Sequence, residues 1–529
     1  MYLFIKKIKQ YWQIILLFSI WLVISIFNTK IYWMLIDDGY NIWFVRNLFL
    51  HIKNINITSI SDMLFESTGR FRPIYWFYHM IMWLIGENNF VIHRVGHVII
   101  FGFILFFIYS ILTKLTKSKN IAFIGSLMFL IIPVNFENWT RIGSQEPLLT
   151  LFSIALVYFL LNKSKHLLVY LTTVLMIFTK ETSVAMLPGI SFIYLLKNKF
   201  ISKEKRSRLI YYLFFFIANC LLLILIAYLI RGDYSRNYFF SLNNAFANFI
   251  FYFDNILKST QPFLLLAFIT FVARLVSDFK KFKKDNINFY ELLFLIFGFS
   301  YILLQIPWKY SLERYLFPAT VFFCLFISLE FFQVIGWLES KIKQEKSLCF
   351  IKFAFSCYLF YFSFINSAQL IYFQKTYALN ISTKYMSQYI VDNVPENYTV
   401  LLNLKKEENT YEIFEEIRLH LSEFWGRSDI NFKYLDINTL PKDKFIVLSN
   451  DSFIKKYDEM EIKTLMKSEP FVIPSKEKSL IITTPFNLVK QLAKKIFMRV
   501  LYGNKFTWEG IYTPYNISDT WYFYNLPSE

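Results

Sequence analysis

Charge is scarce in this chain, and cysteine scarcer still. Only 18% of the 529 residues are charged, against 56% hydrophobic. A soluble protein of this length could not hide so much apolar surface. The four cysteines, Cys220, Cys324, Cys349 and Cys357, lie in or beside apolar runs and show no CxxC spacing. That pattern argues against a disulfide framework and against a cysteine metal site. No arginine-rich patch with interleaved aromatics occurs, so the formal charge of +18 does not describe a nucleic-acid binder. The basic N-terminus leads into the apolar stretch Trp12 to Phe27 without a small-residue cleavage site, as a retained first span does. Alanine is sparse, and phenylalanine fills the apolar runs in its place.

What is present is a series of apolar runs. They fall near residues 13–33, 91–112, 120–134, 148–161, 167–179, 183–196, 209–230, 262–276, 289–305, 315–333 and 348–366. Read as spans they number about 11. The connecting loops alternate in charge. One set carries Lys6, Lys7 and Lys9, then Lys114, Lys117 and Lys119, then Lys163 and Lys165. It continues through Lys197 to Arg208, Lys280 to Lys284, and Lys341 to Lys346. By the positive-inside rule that set is cytoplasmic, with the N-terminus inside and the C-terminal region outside. The alternation also decides the short apolar segment from Pro73 to Ile85. Counting it as a span would invert every later loop, so it reads as an amphipathic helix on the outer surface, within a first outer loop of about residues 34–90.

Ionisable groups near the membrane carry a functional expectation, because charge at that depth is costly. They gather at the outer helix ends. Asp37 and Asp38 close the first span, and Arg70 and Arg72 precede Pro73. Glu137, Arg141 and Glu146 lie in the second outer loop, and Lys180 and Glu181 form an outer turn. Lys309, Glu313 and Arg314 precede the tenth span. A carboxylate can take a proton from an acceptor hydroxyl. Cations can neutralise a leaving phosphate. A lipid-linked phosphosugar would bring its phosphate to this depth, with its tail between spans. The bland alternative is a set of interfacial charges that pair with one another.

At this point residues 10–335 resemble the GT-C superfamily of polyprenyl-phosphate-sugar-dependent glycosyltransferases, nearest to the protein O-mannosyltransferase and aminoarabinose transferase branch. The resemblance runs through the acidic pair Asp37-Asp38, the Arg72-Pro73 start of a surface helix ending at Gly86, and Arg94 in the second span. It continues through Glu137 or Glu146, the Lys180-Glu181 turn, and Arg314 to Pro318. The pair is Asp-Asp here where the family often has Asp-Glu, and the second-loop acid is Glu rather than Asp. The resemblance implies transfer of a sugar from a polyprenyl phosphate to a glycan, lipid or protein acceptor on the outer face, with inversion. It implies Asp37 as base, with Asp38 orienting the acceptor or sharing that role. Arg72, Lys180 and Arg314 would hold the donor phosphate, and Glu137, Glu146, Glu181 and Glu313 would orient the acceptor or those cations. No metal is clearly required, although paired carboxylates could hold a divalent ion. The implied home is a bacterial cytoplasmic membrane.

His93 and His97 are four apart on one helix face, a spacing that can bind zinc, but no glutamate sits between them as in a metalloprotease. With His51 and His79 they are expected to serve packing and interfacial hydrogen bonds. The stretch from Arg231 to Thr260 is read either as a lid or as a surface helix sealing the bundle. The division expected is a catalytic membrane module over residues 1–366 and a small α/β extracytoplasmic domain over 367–529. In that domain Tyr398 to Asn403, Lys444 to Ser449 and Leu480 to Thr484 have strand patterns. Glu412 to Phe424, Ser452 to Met466 and Leu488 to Leu501 have helical ones. Three other functions compete: a polysaccharide ligase or polymerase, which would also use outer-face cations and a polyprenyl donor; a transporter of lipid-linked saccharides, which would want polar or broken positions at mid-membrane; and a membrane scaffold.

Overall fold

The computed structural model describes residues 2–31, 33, 38–64, 70–162, 166–180, 182–183, 242–260, 262–277, 286–306, 312–342, 344–378, 381–406, 408–441, 444–450, 455–466, 469–473 and 520–524. The expected span 183–196, apart from Ser183, and the span 209–230 lie outside them, as do the segments 480–484 and 488–501. The protein is a helical membrane protein. Among the described residues five helices are long and apolar enough to cross a membrane, or up to seven if two bent pairs each count as one span. The five are Tyr11–Asn28, Phe90–Thr116, Ile287–Gln305, Glu313–Lys341 and Cys349–Leu370. Glu146–Leu161 and Leu167–Ile177 are apolar but shorter.

In chain order the helices are α1 (Tyr2–Asn28), α2 (Asp38–Lys53), α3 (Ile57–Leu64), α4 (Pro73–Gly86), α5 (Phe90–Thr116), α6 (Lys119–Ile131), α7 (Phe136–Thr140), α8 (Glu146–Leu161) and α9 (His166–Ile177). After residues outside the description come α10 (Leu242–Thr260), α11 (Pro262–Ser277), α12 (Asn286–Gln305), α13 (Phe317–Lys341) and α14 (Glu345–Ala378). The bounds have local causes. Asn89 caps α5, its side chain accepting from Val91 N, and Lys117 ends the helix in the left-handed conformation. Pro133 lacks an N–H to continue α6, and the chain bends by 57° there.

One correction concerns the first span. It ends at Asn28, and Asp38 is the first residue of α2 rather than the end of α1. Thr29 and Lys30 stop the apolar run, and Trp33 turns away to lie edge-on to His93 at 5.1 Å. The segment read as a lid or a sealing helix is helical over α10. Tyr252 and Ile256 are buried in the bundle core, and Asn248 Nδ2 donates to the carbonyl of Ile306 at 2.9 Å.

α13 is the central helix of the bundle. Its residues from Phe317 to Glu330 are all buried. Small residues let neighbours approach closely, as membrane helices require. A Cβ on Gly125 of α6 would collide with the Ser328 hydroxyl of α13 and a Leu112 methyl of α5. Polar ties mark one end of the bundle, the end that carries Lys114, Lys117, Lys119 and Lys341. Gln13 Nε2 donates to Asn120 Oδ1 at 3.0 Å, and the Lys114 ammonium donates to Asn162. On the same side as Lys341, Arg274 Nη1 donates to Asn288 at 3.0 Å, and Nη2 to Glu291 at 2.6 Å and to Glu330.

Beyond the bundle stand α15 (Ile381–Asn393), α16 (Glu408–Trp425) and α17 (Glu459–Met466) around a five-stranded sheet. The strands are β1 (Thr399–Leu402), β2 (Asn431–Tyr434), β3 (Phe445–Asn450), β4 (Phe471–Ile473) and β5 (Trp521–Tyr524). Their order is β2-β1-β3-β5-β4. β1 runs parallel to both β2 and β3, and the β3–β5 and β5–β4 pairs are antiparallel. Alternate side chains point to opposite faces. Val400, Leu402, Ile446 and Leu448 therefore join the core with Ile417 and Leu421 of α16, while Leu401 and Val447 join Ile462 of α17 on the other face. The boundary placed at residue 366 falls inside α14, which runs unbroken to Ala378. The rise in charge past Asn366 carries no glycine or proline to stop a helix.

Two outcomes follow. Gly125→Val wedges α6 away from α5 and α13 and lowers stability by about 1–3 kcal/mol, read as a lower melting temperature in detergent. The second concerns pH. Arg427 donates to both Asp429 oxygens, at 2.9 and 3.0 Å, and holds the Asp429 carboxyl below its ordinary 3.8. A depressed carboxyl adds stability above its unfolded value and loses it as pH falls through the folded one. Amide protection factors in β1 and β2 of the whole protein, corrected for intrinsic exchange, therefore fall below about pH 4, and Asp429→Asn removes that step.

Candidate functional site

The end of the bundle opposite the lysine-rich loops holds a buried polar layer. It is assembled from the starts of α2, α4, α5, α8 and α13, the end of α9, and the α6–α8 connection. Asp38 is completely buried. Its Oδ1 accepts the backbone N–H of Gly143 at 3.3 Å. The carbonyl of the same Gly143 takes the Tyr75 hydroxyl at 2.9 Å, and that hydroxyl lies 3.0 Å from Asn41 Oδ1. Arg94 is buried beside them, within electrostatic reach of Asp38. One backbone residue thus ties the start of α2 to α4.

The cations come from three distant parts of the chain. Pro73 at the first position of α4 has no N–H to lose, and the following Ile74 N donates to the carbonyl of Phe178 at 3.1 Å. That bond brings the segment holding Arg72 alongside the segment holding Lys180. Phe71 meets Phe178 edge-on at 5.7 Å. Lys180 Nζ lies over the Tyr315 ring at 4.6 Å, and the Arg314 guanidinium lies 5.5 Å from the same ring. The Arg72 guanidinium folds back over Tyr75 at 5.3 Å and Trp76 at 5.4 Å. Such stacking favours a cation where water is excluded.

Two carboxylates balance these charges. Glu146, at the start of α8, pairs with Lys180 and accepts the Ser144 hydroxyl at 2.6 Å. Glu137 accepts Arg141 Nη1 at 2.9 Å and stands 3.8 Å from Arg314 Nη1. Asn138 Nδ2 donates to the carbonyl of Arg314 at 3.0 Å, and the Asn138 carbonyl lies 2.6 Å from His97 Nε2. His93 Nε2 meets the carbonyl of Glu87 at 2.9 Å, so both histidines of the spaced pair are hydrogen-bonded to backbone. Among the described residues no group of three or more His, Cys, Asp or Glu side chains is arranged to hold a metal ion.

Of the residues singled out in the sequence, Asp38, Arg72, Arg94, Glu137, Arg141, Glu146, Lys180 and Arg314 meet in this layer. Glu313 is exposed at its margin, near Glu137, Asp254 and Lys258. Asp37, Glu181 and Lys309 lie outside the described residues. Tyr75, Gly143 and Ser144 were not foreseen, and Tyr315 lay inside the Arg314 to Pro318 stretch without a role of its own. Ser144 stands two residues before Glu146 and could have been read from that spacing. Gly143 acts through its backbone and leaves no signal.

The layer is covered from the sheet side by α16. Glu423 meets Arg46 at 2.8 Å, and Glu416 Oε2 lies 3.4 Å from the N–H of Tyr40. Phe424 stacks on Trp33 at 4.5 Å. A Cβ on Gly39 would come within 3.1 Å of the His420 backbone nitrogen, so glycine permits the close seat. Burial pushes the Glu423 carboxyl up, with Arg46 and Arg418 opposing, and burial drives the His420 imidazole down to about 3. His420 is therefore neutral at physiological pH.

The chain matches no family model, and no curated protein matches it. The Lys180–Glu146 pair gives a direct check. Glu146→Gln leaves a buried ammonium without its carboxylate and costs roughly 3–5 kcal/mol of stability. The double variant Glu146→Gln with Lys180→Met recovers much of that loss. Melting temperatures of the two variants, measured side by side, test the non-additivity.

Proposed function

We propose that the protein is a membrane glycosyltransferase that moves a sugar from a polyprenyl-phosphate donor to an acceptor hydroxyl on the outer face, inverting the anomeric centre. The observation that carries the proposal is the meeting of Arg72, Lys180 and Arg314. Residues 72, 180 and 314 are far apart in sequence, yet the Ile74–Phe178 hydrogen bond and the Tyr315 ring gather them into the layer that also holds Asp38. A cluster of stacked cations at the mouth of an apolar bundle suits a lipid phosphate, whose tail needs hydrocarbon and whose head needs positive charge.

In this reading Asp37 takes the proton of the acceptor hydroxyl as its oxygen bonds to the anomeric carbon. The bond from that carbon to the phosphate oxygen breaks on the opposite face. The polyprenyl phosphate leaves with one more negative charge, which Arg72, Lys180 and Arg314 offset. Asp38, fixed by Gly143, orients the acceptor. Glu137 and Glu146 hold the cations at their stations, and Glu181 and Glu313 orient the acceptor. The same reading takes about 11 spans, the lysine-rich loops in the cytoplasm and the sheet unit as an extracytoplasmic domain in a bacterial cytoplasmic membrane. A polymerase or ligase would place a lipid diphosphate on the same cations, and the donor that accumulates separates the two.

The test uses cells lacking the protein, rescued with wild type, Asp37→Asn or Asp38→Asn at matched levels, with polyprenyl-linked sugars and surface glycans read by mass spectrometry. The expected result is accumulation of a polyprenyl-monophosphate sugar and loss of one glycan residue, which Asp37→Asn fails to restore. A general base contributes about 10²–10⁴-fold to the rate. Full rescue by both variants would overturn the proposal.

A further inference from the structure

His79 was expected to serve packing and interfacial hydrogen bonds, and no part of the proposed reaction uses it. It sits on the inward face of α4 with Tyr75 and Trp76 and is 2% exposed. Its ring meets Tyr75 edge-on at 4.5 Å. Among the described residues its Nε2 is shut away from solvent and meets no hydrogen-bond partner. A buried polar nitrogen left in that state is costly, and native structures rarely tolerate it without a purpose.

Its surroundings say what would complete it. The charged and titratable groups that act on it are Arg72 from the start of α4, and His93 and His97 from α5. All three would disfavour a positive charge on His79, and no carboxylate is among them. Burial, the largest effect, drives its proton affinity well below the ordinary 6.5. The ring is a neutral imidazole in electropositive surroundings. Through Tyr75 and Gly143 it is three contacts from Asp38. Arg72 and His79 both pack on the Tyr75 ring, and a neutral imidazole whose proton is on Nε2 forms with a guanidinium a donor pair for an anionic oxygen.

We propose that His79 Nε2 and the Arg72 guanidinium together bind an oxygen of the phosphate group of the lipid-linked ligand, so that His79 is a further binding residue of this site. The inference rests on the glycosyltransferase reading for the identity of that ligand. These surroundings favour phosphate over a neutral hydroxyl, because the charged and titratable groups acting on His79 are Arg72, His93 and His97.

The experiment compares binding of undecaprenyl phosphate and of undecaprenol, its uncharged alcohol, to the whole protein in nanodiscs by native mass spectrometry. The variants are His79→Gln, His79→Asn and His79→Phe. A glutamine amide nitrogen reaches about where Nε2 lies, an asparagine only where Nδ1 lies, and phenylalanine keeps the ring without a donor. Wild type is expected to prefer the phosphate. His79→Gln keeps that affinity within about 3-fold, while His79→Asn and His79→Phe lose about 10- to 100-fold, the effect of one hydrogen bond to a charged group. Undecaprenol binding stays unchanged throughout. If wild type binds both lipids alike, the donor reading and this inference fall together. If wild type prefers the phosphate and the asparagine and phenylalanine variants match it, the inference alone is overturned. Equal loss in all three variants means that the ring only fills space, which also overturns it. Should His79→Phe lose its melting transition, the contrast between glutamine and asparagine decides by itself.

Discussion

Lys180 and Arg314 can sit where they do only because Glu146 and Glu137 sit there too. An ammonium or guanidinium withdrawn from water demands a carboxylate close by, or it drives the chain apart. The α6–α8 connection exists to meet that demand. Pro133 stops α6, the chain bends, and the next dozen residues deliver Glu137, Asn138, Arg141, Gly143, Ser144 and Glu146 to one layer. Each of them bonds to a part of the chain that arrives from elsewhere or to a neighbour that does. The helix bundle is apolar scaffolding around this short polar knot.

The knot also explains how the sheet unit is seated. α16 lies along α2, and α2 begins with Asp38. The Arg46–Glu423 pair and the Trp33–Phe424 stack fix α16 at the far turn, and Gly39 lets it come close at the near one. A shift of the sheet unit would therefore move the start of α2 and with it the Gly143 contact of Asp38.

Much of the fold was legible because membrane helices announce themselves by length and hydropathy. The same signal misplaced the end of the first span. Trp33 is as apolar as a span residue, and only its partners His93 and Phe424 reveal that it belongs to the outer layer. β1 and β3 were readable from their branched apolar runs, whereas the edge strands β2 and β4 are short and half exposed and carry weak patterns. In the site, ionisable residues stood out because charge is rare in this composition. His79 did not stand out, since one histidine in an aromatic helix has no pattern, and its meaning comes from Arg72, His93 and His97 around it. Gly143 is the limiting case, because a peptide group carries no letter.

The unbroken course of α14 has a mechanical consequence. Its 34 residues make a rod of about 51 Å, of which the apolar window Cys349–Leu370 takes about 33 Å. The remaining turns at the Ala378 end form a stiff post between the bundle and the sheet unit. Any tilt of this span swings the sheet unit as a lever swings its load. The α16 contact with α2 holds the other side of that load, so the sheet is borne at two points, as a lintel is.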